Sequence, residues 1–406
     1  MNQSLIREVQ KQIEPIFQEF QTNEMYNQDK VLQAFRNHQV SDSDFNPTTG
    51  YGYDDYGRDK LEAVYATVFG AEDALVRPQI TSGTHAISTA LFGVLRPGDE
   101  LLYITGQPYD TLNKVIGHEK HVPGSLSDFG VKYHYTDLID GYIDSDQVKQ
   151  KVNDHTKVVA IQRSKGYDDR PSITIVEMEK IIKQIRQLKK DVIIFVDNCY
   201  GEFVETLEPT DLGADLIAGS LIKNPGGGIV RMGGYIAGNK QYVEMAANRL
   251  TAPGIGKEVG ASIGMLQEMY QGLFLAPHVV SEALKGAVFT SAYLKKIGYN
   301  TTPAFDDHRT DLIQSVTFHT SKEMIAFCQA IQRQSPINSH VLPYPAPMPG
   351  YEDDVIMAAG TFIQGASLEL TADGPIREPY TAFVQGGLTY SHVKLAVINA
   401  ANELRS

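Results

Sequence analysis

From about residue 60 to residue 240 the chain alternates short apolar runs with longer stretches of helical periodicity, and few folds satisfy that alternation. The runs are ELLYI (100–104), KVVAIQ (157–162), DVIIFVD (191–197), DLIAGSLIK (215–223) and GGYIAG (233–238). Near-continuous apolar runs belong to strands covered on both faces, and intervening helices are the crossovers that parallel strands need. In VEMEKIIKQIRQLKK (176–190), Met178, Ile181, Ile182 and Ile185 make the apolar face of one such helix. The pattern predicts an α/β fold around a mainly parallel sheet.

Around residue 280 the pattern changes. SEALKGAVFTSAYLKKIGY reads as a helix, and shorter strands and helices follow to the C-terminus. The expected organisation is an N-terminal helical arm over 1–60, a large domain over 61–280 and a smaller α+β domain over 281–406. The arm opens as an amphipathic helix, with Leu5, Val9, Ile13, Phe17 and Phe20 at helical spacing. It packs either on a partner subunit or on its own domain. The Pro-rich LPYPAPMPGYEDDV (342–355) reads as an ordered loop that either borders an active site or forms a surface excursion.

A formal net charge of −13 argues against a broad nucleic-acid or anionic-membrane surface, and it leaves room for a local basic pocket for one small anion. A small-molecule substrate is expected. The two cysteines, Cys199 and Cys328, are too few for a disulfide framework and offer no metal-ligand spacing. With no leader-like N-terminus and no apolar run of spanning length, a reducing, cytoplasmic setting is the expectation.

Three places carry chemistry. An amine nucleophile that forms an imine needs a lysine in a shaped, partly desolvated pocket. Lys223 closes the run DLIAGSLIK and precedes NPGGG, whose glycines let a flat ring approach the backbone; the plain alternative is a surface lysine leading a loop. Asp197 ends VIIFVD, which places its carboxylate at the carboxyl edge of the sheet, where α/β proteins bind ligands. There it either partners a protonated pyridine nitrogen or caps a turn. In SGTHAIS (82–88), Gly83 and Thr84 open a helical run whose free N–H groups suit a phosphate, with the Ser220 hydroxyl close at hand in Ser-x-x-Lys.

The order of these three elements is that of fold-type I pyridoxal-phosphate enzymes. More closely, GYGYDDYGRDKLE (50–62), SGTHA (82–86), GQPYDTL (106–112), VDNCYGEF (196–203), GSLIKNPGGG (219–228) and REPYTAFVQGGLTY (377–390) resemble the cystathionine β-lyase/methionine γ-lyase-like family often labelled aluminium resistance protein. The resemblance covers nearly the whole chain. It implies a fold-type I, PLP-dependent transferase-like fold, pyridoxal 5′-phosphate as cofactor and β- or γ-elimination of a C–S bond in a sulfur-containing amino acid.

It further implies Lys223 as the Schiff-base lysine, Asp197 as partner of the ring nitrogen and Tyr109 as the aromatic stacked on the ring. Tyr53 and Arg58, with Tyr51 competing for the tyrosine role, would reach a neighbouring subunit's phosphate, which implies a homodimer or homotetramer. Arg377 is first choice for the substrate carboxylate and Arg163 second, each with a structural ion pair as the alternative. The family's Asn-Pro cofactor contact is not recognisable, and RSKGYDDRPS (163–172) stands roughly in its place. Cys199, Tyr200 and His85 receive no role.

Rival chemistries find less support. Ser220 and Lys223 form the S-x-x-K of serine β-lactamases, but the companion SDN and KTG motifs are missing. No complete nucleotide-binding glycine motif occurs. An aminotransferase or a non-catalytic, ligand-binding regulator on the same scaffold remains the alternative.

Overall fold

The computed structural model describes residues 3–168, 170–348 and 351–404. Helices α1 (Gln3–Asn37) and α2 (Tyr56–Val68) precede strand β1 (Asp73–Arg77) and helix α3 (Gly83–Val94). There follow β2 (Glu100–Tyr103), α4 (Asp110–Ile116), β3 (Lys132–Tyr135), a small hairpin of β4 (Leu138–Ile139) and β5 (Tyr142–Ile143), and α5 (Ser145–Lys151). Next come β6 (Thr156–Gln162), α6 (Ile175–Leu188), β7 (Ile193–Asp197), β8 (Leu216–Ser220), β9 (Gly234–Gly238), α7 (Lys240–Leu250) and α8 (Leu266–Lys296). The C-terminal part contains β10 (Asn300–Thr302), β11 (Gln314–Thr317), α9 (Ser321–Arg333), β12 (Val355–Ala358), β13 (Thr371–Pro375), β14 (Thr381–Gln385) and α10 (Tyr390–Leu404).

Seven strands form the large sheet in the order β1-β9-β8-β7-β6-β2-β3. From β8 to β3 the neighbours are parallel, whereas β9 runs antiparallel to both β8 and β1. The sheet is therefore mixed but mostly parallel, as the apolar runs predict. β7 reads IIFVD and is buried at every position, because helices cover both of its faces. One face packs on α3 and α7; the other packs on α1, α2, α6 and α8. The sequence reason is plain in α6. Met178, Ile181, Ile182 and Ile185 are buried as its periodicity requires, at about 1.5–3 kcal/mol of transfer free energy each. Thr174 and Glu177 close its first turn as a capping box, worth about 1 kcal/mol.

The second sheet is antiparallel throughout, in the order β10-β11-β14-β13-β12. The division drawn between residues 280 and 281 falls inside α8, which continues through Pro277 to Lys296. A helix can carry its apolar face across two sheets, so the change of pattern in sequence marks a change of sheet and no break in the helix. The N-terminal arm lies on its own chain: Val9, Ile13, Phe17 and Phe20 of α1 are buried in the shared core. No helix among the described residues is long and apolar enough to cross a membrane.

Candidate active site

Parallel strands that end together leave their loops on one edge, and here five of those loops surround one cavity of about 500 Å³. The lining comes from the start of α3 (Ser82, Gly83, Thr84), the loop after β2 (Gln107, Tyr109), the loop after β6 (Gln162, Ser164), the turn after β7 (Asp197, Cys199, Tyr200) and the turn after β8 (Ser220, Lys223). Tyr351, Arg377 and Gln385 complete it from the C-terminal part. The Pro-rich loop thus borders the site through Tyr351; its Pro349 and Gly350 lie outside the described residues, as does Asp169 in RSKGYDDRPS.

Asp197 is the last residue of β7 and is buried. Its carboxylate accepts the Cys199 N–H at 3.1 Å. Burial pushes its pKa above the usual carboxylate range, against the pull of Lys223 and of the Cys199 donors. Lys223 and Arg170 offset that burial only in part, and a cationic ligand atom beside the carboxyl would favour its ionised form.

Lys223 lies three residues beyond the end of β8, at the entrance of a 3-10 turn over Asn224–Gly226. Its Nζ stands 3.8 Å from the centre of the Tyr200 ring. Burial works against the ammonium, yet Tyr200, Cys199 and Asp197 together hold the pKa above that of an ordinary lysine. Tyr200 itself occupies the left-handed region, with φ at 69°, which costs a residue with a side chain about 1–2 kcal/mol.

The first turn of α3 forms the opposite wall. Ser82 caps it by accepting the His85 N–H at 3.0 Å, and the N–H groups of Gly83 and Thr84 have no carbonyl one turn back to bond. A Cβ on Gly83 would sit 3.2 Å from Cys199 Sγ and 3.4 Å from the Ser220 Cβ, so glycine keeps this wall open for a ligand to approach. The Thr84 hydroxyl meets the Tyr109 hydroxyl at 3.3 Å. His85 accepts the Thr81 N–H and is a first-turn residue.

The cavity suits pyridoxal phosphate: a lysine to attach it, a buried carboxyl in need of a cation, a glycine cradle at a helix N-terminus and an aromatic side chain on the wall. Gln162 adds a buried Oε1 without a hydrogen-bond partner.

The two arginine candidates separate. Arg377 stands on the cavity rim, half-exposed and 3.1 Å from Asp353. Arg163 does not reach the cavity. It is fully buried on the other side of the sheet, with Nη2 3.0 Å from Glu205 and Nη1 donating to Asn198 at 2.9 Å, so its structural alternative holds and its carboxylate-binding role is corrected. The reason is strand geometry. Gln162 shares the face of Asp197, and the next residue along points the other way.

Tyr51 and Tyr53 are exposed and stacked on each other, away from this chain's own cavity. Arg58 is buried, and its guanidinium donates to the carbonyls of Gly52 and Gly260 and pairs with Asp59.

Sequence reasoning passed over Gln162, Ser164, Tyr167, Tyr351 and Gln385, all of which line the cavity. For Gln162 a signal existed, since it ends an apolar run as Asp197 does.

Comparison with known proteins agrees with the geometry. The sequence profile described as methionine gamma-lyase matches residues 2–405. A Bacillus subtilis (strain 168) protein, YnbB, is 61% identical over 98% of this chain and 95% of its own length. A Listeria monocytogenes structure provisionally named as a cystathionine beta-lyase involved in aluminum resistance superposes with a TM-score of 0.97, at 59% identity over 99% of this chain and 100% of that one. A Clostridium novyi NT structure, named as a carbon-sulfur lyase involved in aluminum resistance, gives a TM-score of 0.95 at 48% identity over 99% and 95%. The chain belongs to the methionine gamma-lyase family, and the fold-type I frame and the lyase class expected from the sequence stand with that membership.

Proposed function

We propose that the chain is a pyridoxal-phosphate-dependent carbon–sulfur lyase acting on a cystathionine- or methionine-like amino acid, with Lys223 as the attachment residue. The observation that carries this reading is the convergence of Lys223, Asp197 and the α3 start on one cavity. The cofactor, when bound, supplies an electron sink for the carbanion formed at the substrate's α-carbon. The chain's residues do the rest.

Gly83, Thr84 and Ser220 hold the phosphate by N–H and hydroxyl donors, and Asp197 keeps the ring nitrogen protonated. Tyr109 covers the ring face. Arg377 takes the substrate carboxylate, for which a bidentate guanidinium is the best geometric match. The Lys223 amine, when free, would take the substrate's α-proton as general base. As the C–S bond breaks, its electron pair would leave with the sulfur, a carbon–carbon double bond would form in the substrate, and a proton carried by Lys223 would complete the departing thiol.

A homodimer or homotetramer belongs to the same proposal, supported by the exposed Tyr51–Tyr53 pair that a second copy would cover. In that assembly Tyr53 is the better candidate to reach a neighbour's phosphate, because the Arg58 guanidinium is occupied within its own chain. A cytoplasmic setting is supported by two cysteines that are both free and buried.

The test is the visible absorbance of the purified protein and its Lys223→Ala variant with added pyridoxal phosphate. The parent should turn yellow, fix the cofactor to Lys223 on borohydride reduction, and change colour with one member of a panel of sulfur amino acids. A colourless parent under saturating cofactor would reject the reading. Lys223→Ala should lose about 100- to 10,000-fold in turnover, the range of a general base.

A further inference from the structure

Lysine side chains that alternate between a bonded and a free state need a place to wait. In the proposed reaction Lys223 is free once in every turnover, carrying a proton taken from the substrate. The turn after β7 offers such a place. Nζ lies over the face of Tyr200, 3.8 Å from the ring centre, inside the cavity.

We propose that Tyr200 is a further catalytic residue, whose ring face holds the Lys223 ammonium between its release and its return. The inference rests on Lys223 being the attachment residue.

The turn is built to present this ring. Tyr200 takes a left-handed backbone between Cys199 and Gly201, and Phe203 is left-handed as well. A tyrosine held in that conformation persists only where its surroundings fix it. Asn198 fixes this turn, bonded through its backbone to Ala218 and through its side chain to Arg163 and Glu208. Gly201 packs so closely on the Arg163 side chain that a Cβ there would lie 2.4 Å from Cδ. The Tyr200 hydroxyl makes a long contact, 3.5 Å, to the Ala366 carbonyl and a side-chain hydrogen bond with Lys223. The strained placement thus brings both the ring face and the hydroxyl to Lys223.

A ring face also suits the task. It attracts an ammonium without fixing the direction of its protons, so the face keeps its hold as the amine turns to leave or return. The titratable groups facing Lys223 are Asp197, Cys199 and Tyr200 from the turn after β7, and Tyr351 from the C-terminal part. Asp197 and Cys199 add charge; Tyr200 supplies the surface and a side-chain hydrogen bond.

The experiment measures the rate at which pyridoxal phosphate attaches to cofactor-free protein as a function of pH, by the appearance of the yellow band. Attachment needs the neutral amine, so removing a group that stabilises the ammonium should move the half-maximal pH down. Tyr200→Leu is expected to shift it by about one unit, roughly tenfold at a fixed pH. Tyr200→Phe keeps the face and should shift it less than half as far. Because Tyr200→Leu could fail to fold, ring-fluorinated phenylalanines at position 200 give a second series of unchanged shape; the shift should grow with each fluorine added. An unshifted profile, a shift upward, or a Tyr200→Phe shift equal to that of Tyr200→Leu overturns the ring seat while leaving Lys223 as the attachment site. A parent that forms no yellow adduct overturns both.

Discussion

At its carboxyl edge the large sheet buries charge on both faces and treats it in opposite ways. Toward α3, Asp197 and Lys223 face an open cavity beside an unsatisfied Gln162 oxygen. Toward α2 and α6, Arg163 is enclosed by Glu205, Glu208, Asn198 and Thr310, and Glu202 accepts the Tyr235 hydroxyl at 2.8 Å. Adjacent residues divide between the two. Asp197 serves the cavity and Asn198 the enclosed side; Gln162 serves the cavity and Arg163 the enclosed side. The open face keeps charge incomplete, which a ligand can use. The enclosed face pairs Arg163 with its own carboxylates, which fixes the turn the ligand would meet, and leaves Glu202 Oε2 unbonded.

The largest expected effect breaks the open face. Asp197→Asn keeps the shape and removes the anion that would hold the ring nitrogen protonated. Turnover should fall about 100- to 1,000-fold, the usual consequence of deleting one preorganised electrostatic contact. Stability should hold or rise slightly, because a carboxyl that burial disfavours has gone. A Tm that collapses with Asp197→Asn would mean that this face, too, is structural.

Arg163→Ala should do the reverse. It leaves the buried Glu208 without its cation and the half-buried Glu205 with only His308, a loss of about 3–5 kcal/mol in denaturant unfolding. Turnover per folded molecule should fall far less than with Asp197→Asn, since Arg163 reaches the site only through the turn. Loss of turnover with unchanged stability would restore Arg163 as a substrate ligand.

These two residues also mark where sequence reasoning succeeds and fails. Asp197 is legible because an apolar run ending in a carboxylate has a physical meaning by itself. Lys223 is legible through the glycines that follow it, although its strand ends at Ser220 and the lysine reaches the cavity from the turn beyond. Arg163, the second candidate for the substrate carboxylate, follows Gln162 in sequence, and only the pairing of Gln162 with Asp197 assigns it to the far face. Register is a property of two strands, and one strand's sequence does not contain it. Gln385 is out of reach for a related reason, and for Tyr351 the Pro-rich loop leaves open whether it borders the site or the surface. Both come to the cavity by the packing of a second sheet whose placement no local pattern encodes. The same holds for α8, whose continuous apolar face hides the change of sheet along its length.

The smallest expected effect sharpens the enclosed face. Burial raises the Glu202 carboxyl from 4.5 to about 8, with the Tyr235 hydrogen bond and Arg163 opposing and Glu208 adding to the rise. Between those two values the unfolded chain has released this proton and the folded chain still holds it. The native state therefore binds more protons, and its stability falls as pH rises through that window. Glu202→Gln keeps an oxygen for the Tyr235 hydroxyl and cannot ionise. Unfolding midpoints of parent and variant should agree near about pH 5 and separate by on the order of 1–3 kcal/mol near about pH 8, with the variant the more stable. Asp373 of β13, which burial raises to about 7, keeps part of the slope in both proteins. If the two curves run parallel, Glu202 is ionised in the fold, and the enclosed face leaves a charge incomplete just as the open face does.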